Sequence, residues 1–444
     1  MRVVLLSTYD LGRQPFGLAS PAAWLRRAGF DVTCVDLSRE KLSAGVVADE
    51  QFAAFYLPMH TATRLAIPVV QRLRAANPSI TIAAYGLYAP LNDALLRENG
   101  VSIVLGPECE QDMVNAASAR STGTWAPQAP LAPLARLAFI PPDRTGLPAL
   151  DRYASLQMPD GSRKVVGATD ATRGCKHRCR HCPIVPVYDG QFRVVPVDVV
   201  MADVRAQVTQ GATHMTFGDP DFFNGPTHAR KLIEALHAEF PGLTYDAIIK
   251  VEHLLQQREL LALLVSTGCL FVTSAVESVD DEVLAKLEKG HTRADFFAAA
   301  ALCRAAGLTL VPTFVAFTPW TTIDSYRDLL EVVEELDLVA NVAPVQWGIR
   351  LLVTWQSRLL ELPDIQALVG PFDRTTLTFP WRHPDPRVDE LQVQAMTIAG
   401  ARINGSRPEA FAAIRSLAKS PDREITRSLN PRTSIPYMNE PWYC

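Results

Sequence analysis

Apolar positions in the first quarter of the chain follow two rhythms that alternate. "RVVLLS", "DVTCVDL", "FAAFYLP", "TIAAYG" and "SIVLG" are short, nearly unbroken apolar runs of the kind that form buried parallel strands. Between them, "SPAAWLRRAG", "ATRLAIPVVQRLRAANP" and "LNDALLRENG" carry apolar residues at helical spacing, the first with Ser20 expected at the N-cap and Pro21 at the first helical position. Strands alternating with helices of this length predict a doubly wound parallel sheet over residues 1–119. The ligand crevice of such a sheet lies beyond the carboxyl ends of its strands. There the chain has "DLGRQPFGLAS", "PMHTAT", "YGLYAP" and "GPECE", which makes Gly12, His60, Thr61, Gly86, Gly106 and Glu108 candidate ligand-binding positions.

The rhythm then breaks. Residues 120–163, with "TWAPQAPLAPLARLAFIPPDRTGLPAL", are dense in proline and read as an extended linker. From 164 to 353 six further apolar runs return: "KVVGATDA", "HMTFGD", "LTYDAIIKV", "LFVTSAVES", "LTLVPTFVAF" and "VAPVQWGIRLLV", with room for a helix in every interval. Six such units predict an open or partial barrel with functional residues at the strand carboxyl ends. Residues 354–444 are mixed: a rigid "FPWRHPDPR" loop, helices over 389–403 and 408–418, and a polar tail.

A formal net charge of -4 leaves no basic footprint for nucleic acid. No apolar run reaches membrane-spanning length and no leader is evident, so a cytoplasmic protein with reduced cysteines is expected. Cys34, Cys109, Cys269 and Cys303 stand singly in apolar contexts and read as ordinary buried thiols. Cys175, Cys179 and Cys182 do not. They follow the first barrel strand in "RGCKHRCRHCPI", spaced C-x3-C-x2-C. Structural zinc wants four ligands, commonly in two pairs, and only His177 or His181 is at hand as a fourth. A 4Fe-4S cluster on three thiolates instead leaves one iron open to an external ligand.

That spacing, after Thr172-Arg173-Gly174, resembles the signature of the radical S-adenosylmethionine (SAM) superfamily, in which the open iron chelates SAM and reductive cleavage gives a 5'-deoxyadenosyl radical. Further stretches are similar in the same order. "FGDPDFF" stands at the family's GGE-like turn and offers Gly218 and Asp219 toward the SAM amino group, although an Asp-Pro turn has the same appearance. "SAVESVDDEVLAKLEKGHT" resembles "GIES...D..L..M.KG.T", which implies that Glu277 and Ser278 approach the ribose and methionine ends of SAM, with Ser274 a weaker candidate. Lys250, at the end of the third strand, and Arg350, on the sixth, are implied as SAM-site cations, although each reads equally as a solvated rim charge. The leading unit resembles the cobalamin-binding class of the superfamily. It lacks the D-x-H-x-x-G that supplies a histidine to cobalt, so either cobalamin binds without a protein ligand or the domain binds nothing. The implied fold is α/β: an N-terminal Rossmann-like cobalamin-binding-type domain, a partial (β/α)6 radical SAM barrel and a small mixed C-terminal segment. The cofactors are a 4Fe-4S cluster, SAM and cobalamin; the partners are a small-molecule substrate and a flavodoxin- or ferredoxin-type electron donor.

The tail "EPWYC", with "STYDLGRQPFGLASPAAWLRRAG" and "GDPDFFNGP", resembles the CUAEP/CCAEP-tail radical SAM (seleno)protein group. This implies that Cys444 is a catalytic thiol and that a selenocysteine codon follows it. Three activities stay open: radical alkylation or methylation, transfer of the 3-amino-3-carboxypropyl group of SAM to a thiophilic atom such as arsenic, and a non-catalytic cobalamin or metal carrier.

Overall fold

A computed structural model describes residues 2–43, 51–122, 137–418 and 434–440. Strands β1 (Arg2–Ser7), β2 (Asp31–Asp36), β3 (Phe52–Tyr56), β4 (Thr81–Tyr85) and β5 (Ile103–Val104) form one parallel sheet in the order β2-β1-β3-β4-β5. Val4, Leu6, Phe55 and Ile82 pack on one face, and Val3, Leu5, Phe52 and Tyr85 on the other. Both faces are buried, which is why the strands read as unbroken apolar runs.

The first helix departs from expectation. It spans Phe16–Arg27, so Ser20 and Pro21 lie inside it rather than at its start. Pro21 has no N–H to give the carbonyl four residues back. That carbonyl, on Gly17, accepts instead from the Tyr85 hydroxyl at 2.7 Å. Tertiary structure supplies the partner that proline removed, and Ser20 is released to donate to Glu110 at 2.7 Å.

The second sheet curls. Its parallel strands are β7 (Arg163–Thr169), β10 (His214–Phe217), β11 (Thr244–Ile248), β12 (Cys269–Glu277) and β13 (Thr309–Phe314). On the far edge of β7 the antiparallel strands β6 (Ser155–Gln157) and β14 (Tyr437–Met438) extend it. A short hairpin, β8 (Thr172–Gly174) with β9 (Phe192–Val194), stands over its carboxyl end. The first sheet is the doubly wound unit and the second a half-barrel, so the fold is α/β as the sequence implies.

Two expectations are corrected. "VAPVQWGIRLLV" is not a sixth strand but a helical turn at Pro344–Trp347 and one isolated bridge, Phe317 to Arg350. Pro344 cannot donate to a ladder. Trp347 is wholly buried on Phe314 and Phe411, and a Cβ on Gly348 would sit 2.9 Å from the Met396 backbone, so helix packing claims the segment. The linker is not merely extended either. Its described part includes β6, and Arg144 within it is buried, reaching both oxygens of Asp203, Gln14 Oε1 and the Ala168 carbonyl. One guanidinium thus ties the first domain, the linker and the half-barrel together.

Candidate active site at the half-barrel mouth

The loop of Cys175, Cys179 and Cys182 is held between β8 and β9 at the carboxyl end of β7. Gly174 enters it with φ near +78°, and a Cβ there would meet the Tyr188 ring at 2.4 Å, so only glycine fits. Asn224 accepts from the Lys176 N–H at 3.2 Å and lies 3.7 Å from Cys175 Sγ. The Arg180 N–H reaches the Leu287 carbonyl at 2.9 Å. Burial raises the Cys175 and Cys182 thiols, the latter to about 12, and the neighbouring sulfurs add to this. Such thiols stay protonated until a metal takes the place of the protons.

Among the described residues the three sulfurs do not all come within 4.8 Å of one another. Three sulfurs so placed are not gathered around a single zinc, and three thiolates suit a cluster that leaves one iron open to an outside ligand. The charges facing the loop agree. Lys250 Nζ is 3.9 Å from Cys179 Sγ, and Lys289, whose proton is held against burial first by Glu277 and then by the sulfurs of Cys179 and Cys182, faces the same loop. Two buried ammonium groups suit an anionic iron–sulfur cluster, so the residues fit the group that the sequence implies.

Glu277 ends β12 with φ near +68° and is buried. Burial alone raises its carboxyl, but Lys289 at 3.3 Å and His181 at 3.1 Å hold it down to about 2. It is a permanently ionised acceptor at the mouth. Ser278 beside it accepts from the Asp280 N–H at 3.1 Å. Lys250 also pairs with Glu252 at 3.5 Å. Gly218 lines the cleft between the two domains, where a Cβ would lie 2.5 Å from Asp170 Oδ1.

Other predicted positions lie elsewhere. Both oxygens of Asp219 are engaged, by the Ala171 N–H at 3.0 Å and by the Thr172 hydroxyl, so it braces the β8 hairpin. Burial and Asp170 push it up to about 7. Ser274 is wholly buried and shares the parity of Val272 and Val276, whose side chains join the helix-side core. Arg350 covers the Trp381 ring at 3.4 Å and pairs with Asp389 at 2.6 Å. It is a structural cation of the C-terminal segment. Gly12 abuts the Glu440 carboxylate, outside the cleft. His60 meets the Thr376 carbonyl, and burial lowers its pKa, while Thr61 beside it is half-buried. Glu108 lies 3.6 Å from Arg193, its carboxyl raised by burial. Gly86 does line the cleft, with φ near +103° and its N–H on the Gly106 carbonyl at 3.2 Å. Cys444 falls outside the described residues.

The cleft of about 240 Å³ lies between Phe16, Tyr56 and Gly86 of the first domain and Thr172, Arg173 and Tyr188 of the cysteine hairpin. Sequence reasoning missed its clasp: Arg173 donates to Glu110 at 2.6 Å and to Ser20 at 3.1 Å, all buried. The only signal was that both charged residues stand in motif loops, with nothing to pair them. The other four cysteines are buried, as expected.

Residues 170–336 match the family model described as the Radical SAM superfamily. The tRNA-2-methylthio-N(6)-dimethylallyladenosine synthase of Pseudomonas savastanoi pv. phaseolicola is 22% identical over 288 residues, covering 60% of this chain and 59% of that protein. The bacteriochlorophyllide d C-12(1)-methyltransferase of Chlorobaculum tepidum is 28% identical over 126 residues, 28% of this chain and 27% of that one. The chain thus spans less than two thirds of the length of these curated relatives. Among solved structures, the radical SAM methyltransferase TsrM from Kitasatospora setae superposes with a TM-score of 0.65 at 16% identity, over 81% of this chain and 75% of that one. The cobalamin-dependent SAM radical enzyme OxsB does so with 0.65 at 13%, over 88% and 66%. At these identities the likeness is one of fold, and it spans both domains. No described helix is long and apolar enough to cross a membrane.

Proposed function

Taking residues 170–336 as a radical SAM domain, we propose that the protein is an enzyme of the transferase type. It cleaves SAM reductively at a 4Fe-4S cluster on Cys175, Cys179 and Cys182 and methylates or alkylates a small substrate. The observation that carries this is one loop with three thiols, Cys175 and Cys179 buried and Cys182 half-buried, faced by the buried ammonium groups of Lys250 and Lys289. A cluster bound there supplies one-electron reduction, fed by a flavodoxin- or ferredoxin-type donor. The lysines offset thiolate charge. Glu277, ionised at any working pH, accepts hydrogen bonds from SAM hydroxyl or amino groups, with Ser278 next to it in the chain and Gly218 at the end of β10. Asp219 acts as a positioning residue through Ala171 and Thr172.

Cobalamin belongs to the same reading, because the solved relatives TsrM and OxsB are described with it bound. The cleft of about 240 Å³ between the two domains, lined by Tyr56 and Gly86 on one side and Thr172 and Tyr188 on the other, is where a corrin would lie in this reading. His60, tied to Thr376, is not offered to cobalt, and bound cobalamin should show the spectrum of a histidine-free form. The finer assignment to the CUAEP/CCAEP-tail group, with Cys444 as a reactive thiol, rests on the tail sequence. An in-frame UGA after the Cys444 codon supports it, and UAA or UAG there removes it.

The test is anaerobic incubation of cluster-loaded, cobalamin-treated protein with SAM and dithionite. Formation of 5'-deoxyadenosine with S-adenosylhomocysteine is expected. Formation of 5'-methylthioadenosine would move the reaction to 3-amino-3-carboxypropyl transfer, and intact SAM would leave a carrier.

A further inference from the structure

Beside the cysteine loop lies a second set of donors that the proposed reaction does not use. His177, Asp221 and His253 bring one ligand atom each within 4.8 Å of one another. They come from three places. His177 is two residues from both Cys175 and Cys179, Asp221 follows β10, and His253 is on the helix Val251–Gln256 after β11. Asp221 Oδ2 is 2.6 Å from His253 Nδ1 and 3.5 Å from His177 Nε2, and the imidazole centroids are 4.8 Å apart.

Asp221 Oδ2 meets both imidazoles, but none of these contacts is an aligned hydrogen bond. Asp221 is wholly buried and His253 only 1% exposed, and His253 Nε2 has no hydrogen-bond partner. A buried polar group left without a partner costs about 1–3 kcal/mol, and a cation shared by the three would satisfy them together. Each donor is also oriented from behind. Asp221 Oδ1 accepts from the Phe223 and Lys250 N–H groups at 3.3 and 3.4 Å, which aims Oδ2 at the imidazoles. The Glu252 carboxylate, 3.6 Å from His177 Nδ1, favours the tautomer that leaves Nε2 as a lone-pair donor.

We infer that His177 Nε2, His253 Nδ1 and Asp221 Oδ2 form a mononuclear divalent-metal site of the zinc class, separate from the cysteine cluster. Two imidazoles and one carboxylate are a borderline donor set suited to zinc or ferrous iron, with one or more positions left for water. Tetrahedral bonds of about 2.0–2.1 Å need donors about 3.4 Å apart. The His177–Asp221 separation already meets this, and the His253–Asp221 pair must open by less than about 1 Å. The metal ties the middle of the cluster loop to the ends of the second and third parallel strands and fixes Cys175 and Cys179 relative to them.

The test uses cluster-loaded protein, cleared of loose metal with EDTA and dialysed against micromolar zinc. One zinc per chain is expected in addition to the iron, with only nitrogen and oxygen neighbours in its X-ray absorption spectrum. His253→Gln and Asp221→Asn should each lower zinc affinity at least about tenfold while iron and sulfide stay at the parent level. No zinc retained by the parent, sulfur in the zinc shell, or both variants binding zinc like the parent overturns the site. If a variant fails to fold, the parent's absorption spectrum still decides. Iron and sulfide content reports on the cysteine cluster independently, so loss of one reading leaves the other standing.

Discussion

The carboxyl-end rims of the two sheets behave in opposite ways. On the half-barrel, the core of the predicted site gathers in one place: three thiols, Lys250 and Glu277 share a buried mouth with Lys289, while Asp219, Ser274 and Arg350 turn to other partners. On the first domain, the residues singled out by loop position scatter. Gly86 lines the cleft, but Gly12 meets the tail, His60 meets the C-terminal segment and Glu108 turns to Arg193. A short-range motif encodes its own geometry, because one loop carries all its parts. Loop position encodes only a neighbourhood, and what covers the loops decides the rest.

The largest effect expected from this contrast is at the thiols. Changing Cys175, Cys179 and Cys182 together to alanine should take iron and sulfide from about four per chain to near zero, with SAM cleavage lost. Retained stoichiometric iron would break the contrast at its root. Next is Glu277→Ala, which leaves Lys289 buried without its carboxylate and should cost about 3–5 kcal/mol in urea unfolding. Glu108→Gln on the other rim keeps the side chain's volume and removes a carboxylate that burial already disfavours, so it should cost about 1 kcal/mol or less. Equal losses would mean that both rims are organised alike.

The two rims of the cysteine hairpin also differ in pH response. Glu277 has its folded pKa held down to about 2, so its contribution is present above the unfolded value near 4.5 and is lost as pH falls toward 2. Asp219 has the reverse sign. Raised to about 7, its contribution is full below the unfolded value near 3.8 and is lost as pH rises through 7. Asp219→Asn should therefore flatten the decline in stability between about pH 4 and 7, while Glu277→Gln should flatten the acid limb; thermal unfolding across pH reads both. Interchanged outcomes would contradict the assigned environments.

The smallest effect is expected at the tail. Glu440 pairs with Arg39 at 2.6 Å, both about one fifth exposed, and an ion pair still open to solvent contributes about 1 kcal/mol. Glu440→Gln should lower stability by no more than that, measured by urea unfolding. A loss comparable to Glu277→Ala would show that Gly12 and the tail form a rim as organised as the barrel mouth.

Sequence periodicity determined the two α/β units, because a strand buried on both faces must be apolar throughout and its crossover helix must carry a stripe. Spacing determined the cysteine loop, since three thiols within eight residues stay together whatever surrounds them. Tertiary structure decided the rest. It turned the sixth apolar run into a turn, because Trp347 and Gly348 were needed against Phe411 and Met396. It gave Asp219 to the hairpin and Arg350 to Trp381, because a strand-end side chain finds whichever partner the fold brings nearest. It also brought together Arg173 with Glu110 and His177 with Asp221 and His253, pairs separated by tens of residues. No local pattern carries such contacts: a buried charge or imidazole is specified by its partner, and the partner is set by how the sheets pack.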